Sequence, residues 1–210
     1  MTLDHPGTLR GRLVTLEPLA REHHDELVAA VQDGELWRLW YTSVPSPDRM
    51  AVEIDRRLEL QRAGTMLPFV ARRNDTGRAI GMTTFMNIDA VTPRVEIGST
   101  WNAAGAQGTG TNPESKLLLL QHAFDVWDCP AVEFRTDFNN QQSRAAIARL
   151  GAKQDGILRA HRREPGYLRD TVVFSITQPE WPGVRLGLEH RILRHLAASG
   201  SLDGEAPPLG

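Results

Sequence analysis

Between Asn102 and Pro113 the sequence reads Gln107-Gly108-Thr109-Gly110-Thr111-Asn112, leaving a predicted strand and entering a predicted helix. Glycines let a backbone turn sharply and come close to a ligand. The first amides of the helix that follows lack intrahelical partners and carry the positive end of the helix dipole. Such a segment can hold a pyrophosphate without any basic side chain. It is not a Walker loop, because no Gly-Lys-Ser/Thr stands at the helix entry. Nor is it a dinucleotide fingerprint: Pro113 occupies the place of the third glycine, and a hairpin precedes the strand instead of a βαβ unit. A plain surface turn, with Asn112 as helix cap and Pro113 as first helical residue, fits the same residues.

Glu96 lies between Val95 and Ile97 in a predicted strand and so points to the opposite face from them. A carboxylate in a central strand serves either as a general base or as the partner of a basic residue on a covering helix. The one cysteine sits in Asp128-Cys129-Pro130, where the neighbouring carboxylate disfavours a thiolate nucleophile. It can form neither an internal disulfide nor a multi-cysteine zinc site. The seven histidines, His23-His24 among them, show no His-Glu-x-x-His or similar metal-ligand pattern, and His190 and His195 read as surface residues of the last helix.

These residues need elements to position them. Leu9–Leu16 reads as a first strand, closed by Pro18, and the region from Arg21 to Val31 as an amphipathic helix. Pro47 opens a second helix that runs to Gly64. Phe69–Arg72 and Ala79–Met86 read as strands joined by Asn74-Asp75-Thr76-Gly77, a hairpin signal, with Val95–Trp101 as the next strand. A long helix is expected over Pro113–Trp127, a strand over Ala131–Thr136 and a helix over Gln141–Leu150, stopped by Gly151. Strands at Lys153–Arg162 and Leu168–Ile176 flank Pro165-Gly166, and a final helix covers Pro182–Leu196. This order predicts a mixed sheet with helices on both faces.

The chain has 210 residues, 40% hydrophobic and 24% charged, enough to close one core. With 24 basic and 26 acidic residues its net charge is −2, which argues against a general binder of nucleic acid or membrane surface. No apolar run approaches the ~20 residues of a membrane span, and Met1–Gly7 is too polar for a signal peptide. The expectation is a soluble protein of a reducing compartment, the cytoplasm.

Read in order, the blocks Val95-Glu96-Ile97-Gly98-Ser99-Thr100-Trp101, Gln107-Gly108-Thr109-Gly110, Thr136-Asp137-Phe138-Asn139-Asn140-Gln141-Gln142-Ser143, Ala145–Ala152 and Leu168–Ser175 resemble the GNAT acetyltransferase superfamily, in the branch of the ribosomal-protein N-terminal acetyltransferases. The resemblance covers about Leu9 to Leu188. It implies one GNAT-like α/β (α+β) domain over residues 1–198, with a mostly antiparallel sheet of about seven strands, and a loose tail at 199–210. It further implies acetyl-CoA as co-substrate, no metal, and direct transfer of acetyl to a primary amine of a protein N-terminus or a small molecule. A GNAT-like module that binds acyl-CoA without efficient turnover is the alternative, and the chain could be a monomer or a homodimer.

By matching position, the resemblance gives Gln107, Gly108, Thr109, Gly110, Thr111 and Asn112 the pyrophosphate. It departs at Asn112, where relatives carry Gly or Ala. Ser99, Thr100 and Trp101 would run alongside the pantetheine arm. Asn140 would contact that arm, and Ser143 would donate a proton to the departing thiolate. Helix capping is the plainer role of Asn140 and Ser143. Glu96 is the candidate base. Trp37, Trp40 and Tyr41 fall where relatives line the acceptor groove, and would form an acceptor wall or a hydrophobic plug. The basic run Arg159, His161, Arg162, Arg163 is either a solvated strand end or a device that steers an acidic acceptor or the phosphates.

Overall fold

The protein, seen in a computed structural model, is described at residue 3 and over residues 6–198. The expected tail at 199–210 lies outside the described residues.

The chain begins with β1 (Leu9–Arg10) and β2 (Val14–Pro18), then α1 (His24–Gln32) and α2 (Met50–Arg62). Three antiparallel strands follow, β3 (Met66–Arg73), β4 (Ala79–Asp89) and β5 (Arg94–Asn102). Beyond them come α3 (Thr111–Gln121), β6 (Ala131–Asp137), α4 (Gln141–Arg149), β7 (Lys153–Glu164), β8 (Tyr167–Thr177) and α5 (Trp181–Ala198). The strands form one sheet in the order β1-β2-β3-β4-β5-β6-β8-β7. Every neighbouring pair is antiparallel except β5 and β6.

Side-chain alternation divides the core between the two faces. On β3, Phe69 and Ala71 join the core that contains Leu119, Leu120, Ile147 and Leu188, so α3, α4 and α5 cover that face. Val70 turns the other way, into the core of Leu27, Val31, Met50 and Ile54 from α1 and α2. No helix among the described residues is long and apolar enough to cross a membrane.

Eight strands replace the expected seven because the first predicted strand folds back on itself. Gly11 N donates to Val14 O at 2.9 Å, and the turn places Leu9 opposite Leu16. The turn is held from a distance: the Glu114 carboxylate accepts from the amides of Arg12, Leu13 and Val14 at 2.8, 2.6 and 2.8 Å. A side chain at position 11 would strike that carboxyl group.

The long helix also differs at both ends. It begins at Thr111, with Gly110 at φ +85° as its cap, so Asn112 sits in the first turn and not at the cap. Pro113 is therefore the third helical residue, where its missing N–H costs nothing because that amide has no intrahelical partner. At the far end the turns widen over His122–Val126, and Trp127 N reaches back five residues to His122 O.

Candidate active site

Strands β5 and β6 pair only at Arg94–Ala131, Val95–Val132 and Glu96–Glu133. Beyond Glu96, β5 bonds to β4 alone; beyond Glu133, β6 bonds to β8 alone. A bulge sharpens the divergence. Two steps on β4, from Met82 to Thr84, are matched by three on β5, from Trp101 to Gly98, and Ser99 within that stretch adopts φ +46°. The parting strands open a cavity of about 450 Å³ whose lining includes Asn112 and Ser143 from one face of the sheet and Tyr41 and Arg57 from the other.

At the α3 mouth, Gln107, Gly108 and Asn112 line the cavity. The amides of Gly108, Thr109, Gly110, Thr111 and Asn112 donate to no group among the described residues. Thr109 and Thr111 do not line the cavity; their hydroxyls turn back to Ala106 O at 2.7 and 3.3 Å and stitch the loop together. Gly110 is packed elsewhere too, because a Cβ there would meet Leu13 at 2.8 Å and His195 at 2.9 Å. His195 thus backs the loop instead of standing free on the surface. Asn112 Oδ1 accepts from Asn102 Nδ2 at 3.4 Å.

Asn140 caps α4, accepting from Ser143 N at 2.9 Å, and both residues line the cavity. The Ser143 hydroxyl makes no hydrogen bond among the described residues and is free to donate to a ligand. On the β5 wall, Ser99, Thr100 and Trp101 line the cavity along the strand edge that β6 has left. The Trp101 ring itself belongs to the α1–α2 core. The Thr100 hydroxyl is engaged by Thr83 at 2.9 Å and by Lys116 Nζ at 2.8 Å.

Glu96 points to the α1–α2 face, since Val95 and Ile97 lie in the opposite core. Its Oε2 accepts from Asn87 Nδ2 at 2.6 Å and stands 3.6 Å from Arg135 Nε. The partner is thus a residue of the adjacent strand, not of a covering helix. Burial pushes the Glu96 carboxyl above its ordinary value, against the pull of Asn87 and Arg135. The result is a carboxylate poised closer to neutrality than a surface glutamate.

The three aromatics separate. Trp37 packs against the α1–α2 core, Tyr41 lines the cavity, and Trp40, 63% exposed, lies outside it. Trp40 sets its edge against Tyr167 with centroids 5.1 Å apart, so the 36–44 segment reaches across to β8. The basic run separates as well: Arg159 pairs with Asp170 at 2.6 Å, while Arg162 lines the cavity. Cys129 is fully buried, and burial with Asp128 pushes its thiol up to about 11, which removes it as a nucleophile.

Two buried cations in the lining were missed from the sequence. Lys116, 5% exposed, donates to Thr83 and Thr100 at 2.8 Å each, and burial pulls its ammonium down to about 7. Arg57, 2% exposed, binds Glu53 Oε1 at 2.7 Å and donates to Ser99 O at 3.1 Å. Both sit on helices, α2 and α3, and no local sequence signal sets them apart.

The sequence profile of the acetyltransferase (GNAT) domain matches residues 13–153. The Bacillus subtilis protein named "Putative ribosomal N-acetyltransferase YdaF" is 30% identical over 107 residues, 51% of this chain and only 58% of that relative. The crystal structure of a GCN5-related N-acetyltransferase from Brucella melitensis is 28% identical, with a TM-score of 0.80 over 90% of this chain and 87% of that one. Mycobacterium smegmatis RimJ, solved with CoA-disulfide, is 25% identical with a TM-score of 0.71, covering 92% and 93% of the two chains.

Proposed function

The chain belongs to the GNAT acetyltransferase family, an acetyl-CoA-dependent acyltransferase, and from that premise we propose that it passes acetyl to the primary amine of a protein N-terminus or a small molecule through the cavity between β5 and β6. The observation that carries this reading is the run of unengaged amides from Gly108 to Asn112 at one mouth of that cavity, with the buried Glu96 carboxylate facing the other.

The residues fit the cofactor. The amides of 108–112 and the α3 dipole would hold its pyrophosphate, and Asn112 leaves those amides clear because its side chain is turned to Asn102. The free edge of Ser99–Trp101 would lie along the pantetheine arm as a missing strand would. When bound, acetyl-CoA supplies an activated acyl carbon. An α-amine, with a pKa of about 7.7–8.0, must lose its proton before it can attack. Glu96 would take that proton, directly or through a water. The Ser143 hydroxyl, which lines the cavity, would return one to the leaving sulfur.

A CoA titration followed by thermal shift, together with thiol release from acetyl-CoA over a panel of amines, tests the proposal. Stabilisation by CoA and release of thiol with at least one amine are expected. Stabilisation without release on any amine would support the binding-module reading instead, and no stabilisation would sink both.

A further inference from the structure

On the reading above, the acceptor binds at the α2 side of the cavity, and the charges there bear on its chemistry. Alternation places Glu96 on that face, and with it Arg135 and Asp137 of β6, whose neighbours Val132 and Phe134 lie in the opposite core. Arg169 shares the face, since Val172, Phe174 and Ile176 point away. Arg162 stands directly across from Arg169 in the β7–β8 register and therefore joins it.

Arg162 reaches this position through a local distortion. Between Leu158–Thr171 and Arg162–Arg169, four steps on β7 match two on β8. Asp170 pins the extra residues by accepting from Arg159 Nε at 2.6 Å and from Ala160 N at 2.7 Å, and Ala160 is held at φ +49°. Strain of this kind persists where the surroundings hold it, and its effect here is to aim Arg162 into the cavity. There Arg162 has no ion-pair partner among the described residues, although it lies close enough to Glu96 to favour that carboxylate's charge.

Arg57 is the second incomplete cation. Its Nε is on Glu53 and its Nη2 on Ser99 O, but Nη1 is buried without a partner among the described residues. Leaving a charged donor unsatisfied out of water is costly, and a ligand acceptor would remove that cost. Arg169 is third: its nearest carboxylate, Asp137, stands 3.7 Å away and already accepts from Tyr167 Oη at 2.7 Å and from Asn139 N at 2.8 Å. Arg57 bonds to Ser99 O, and Glu96 Oε1 would be 2.9 Å from a Cβ on Gly98, so both groups meet at the same bulge of β5. The phosphates need none of these arginines, because the 108–112 amides serve them on the opposite face.

We propose that the amine acceptor carries a carboxylate near its amino group, and that Arg57, Arg162 and Arg169 receive that carboxylate while Glu96 faces the amine. Charge-assisted, forked contacts from arginine recognise a planar carboxylate and discriminate against its neutral amide. The acceptor class is thus an acidic peptide N-terminus or a free amino acid.

The test uses the full chain with acetyl-CoA and two matched panels. One holds C-terminally amidated peptides beginning with or followed by Asp or Glu, against their Asn or Gln counterparts. The other holds free amino acids against their amides. Thiol release and product mass give kcat/KM for each. The carboxylate member of at least one panel should be preferred by about tenfold or more, and the panel in which this occurs identifies the source of the carboxylate. Arg162→Gln should abolish the preference through KM for the acceptor, with KM for acetyl-CoA unchanged. Arg57→Gln should act likewise; should that buried change unfold the protein, the exposed Arg162 still decides. Equal rates on acids and amides, or a preference that survives Arg162→Gln, would overturn the inference while leaving the acetyltransferase intact. No transfer to any member of either panel would also overturn the inference, while the acetyltransferase reading stands or falls on CoA binding and the wider amine panel.

Discussion

Asn87 donates to Glu96 at 2.6 Å from a left-handed backbone, φ +50°, at the irregularity where β4 and β5 lose register between Met86 and Asp89. The strand distortion thus positions the side chain that hydrogen-bonds the candidate base. Burial raises the Glu96 carboxyl, and Asn87 is the largest influence opposing it. Asn87→Ala should therefore move the acid limb of kcat/KM to higher pH, because the base then stays protonated further up the scale. Glu96→Gln should lower kcat by about a hundredfold. A pH–rate profile checks both, and an acid limb that does not move in Asn87→Ala would remove Glu96 from the base role.

Lys116 makes stability depend on pH in a defined direction. Its folded-state value is about 7 against an ordinary 10.5. Below the lower value both states carry the proton, and the native state bears the whole cost of a buried ammonium. As pH rises toward the upper value, the native state releases its proton while the unfolded chain keeps it, so the cost declines. Lys116→Met should raise Tm most at about pH 6 and progressively less toward about pH 10. A gain that is flat with pH would show that Lys116 keeps its proton in the folded protein as it does in the unfolded chain.

Asn140 and Ser143 share a cap but should fail differently. Asn140→Ala removes the acceptor for Ser143 N and should cost about 1 kcal/mol of stability. Ser143→Ala keeps that backbone bond and should leave Tm nearly unchanged while lowering kcat. Thermal melts beside initial rates separate the two, and an unaltered kcat in Ser143→Ala would end its role as proton donor.

The buried Glu114 carboxylate ties the start of α3 to the β1–β2 turn through three backbone amides. Glu114→Ala would orphan those amides and should cost about 2–4 kcal/mol. Because α3 begins at the 107–112 loop proposed to hold the pyrophosphate, CoA should also bind more weakly. Gly11→Ala should reproduce the stability loss by pushing the same carboxyl away. Urea melts and CoA titrations of both variants check this.

The features legible in the sequence were those written in neighbouring residues. Asn74–Gly77 announced its hairpin, Gly151 the end of α4, and the two loop glycines the approach to α3. What escaped depended on partners far along the chain. Leu9–Leu16 looks like one strand until Glu114, about a hundred residues away, captures its middle. Gly110 outcompetes Asn112 as cap because only a residue without Cβ fits between Leu13 and His195 at positive φ. Arg57 and Lys116 carry no signal in the sequence, since burial of a cation is decided by the opposite wall of a cavity. Glu96 could be found because alternation alone showed which way it pointed. Its partners, Asn87 and Arg135, could not.

The three-residue pairing of β5 with β6 also bears on how the molecule assembles. Strands β1 to β5 pair in chain order, and β6 to β8 form a second group at the other end of the sheet. Within the sheet, only the seam at Arg94–Glu96 joins them. The molecule resembles two panels stitched along one short hem, with the rest of the hem left for a ligand to sew. Hydrogen exchange should find the amides of β5 and β6 past that seam the most labile in the sheet, and the first to slow when CoA is added.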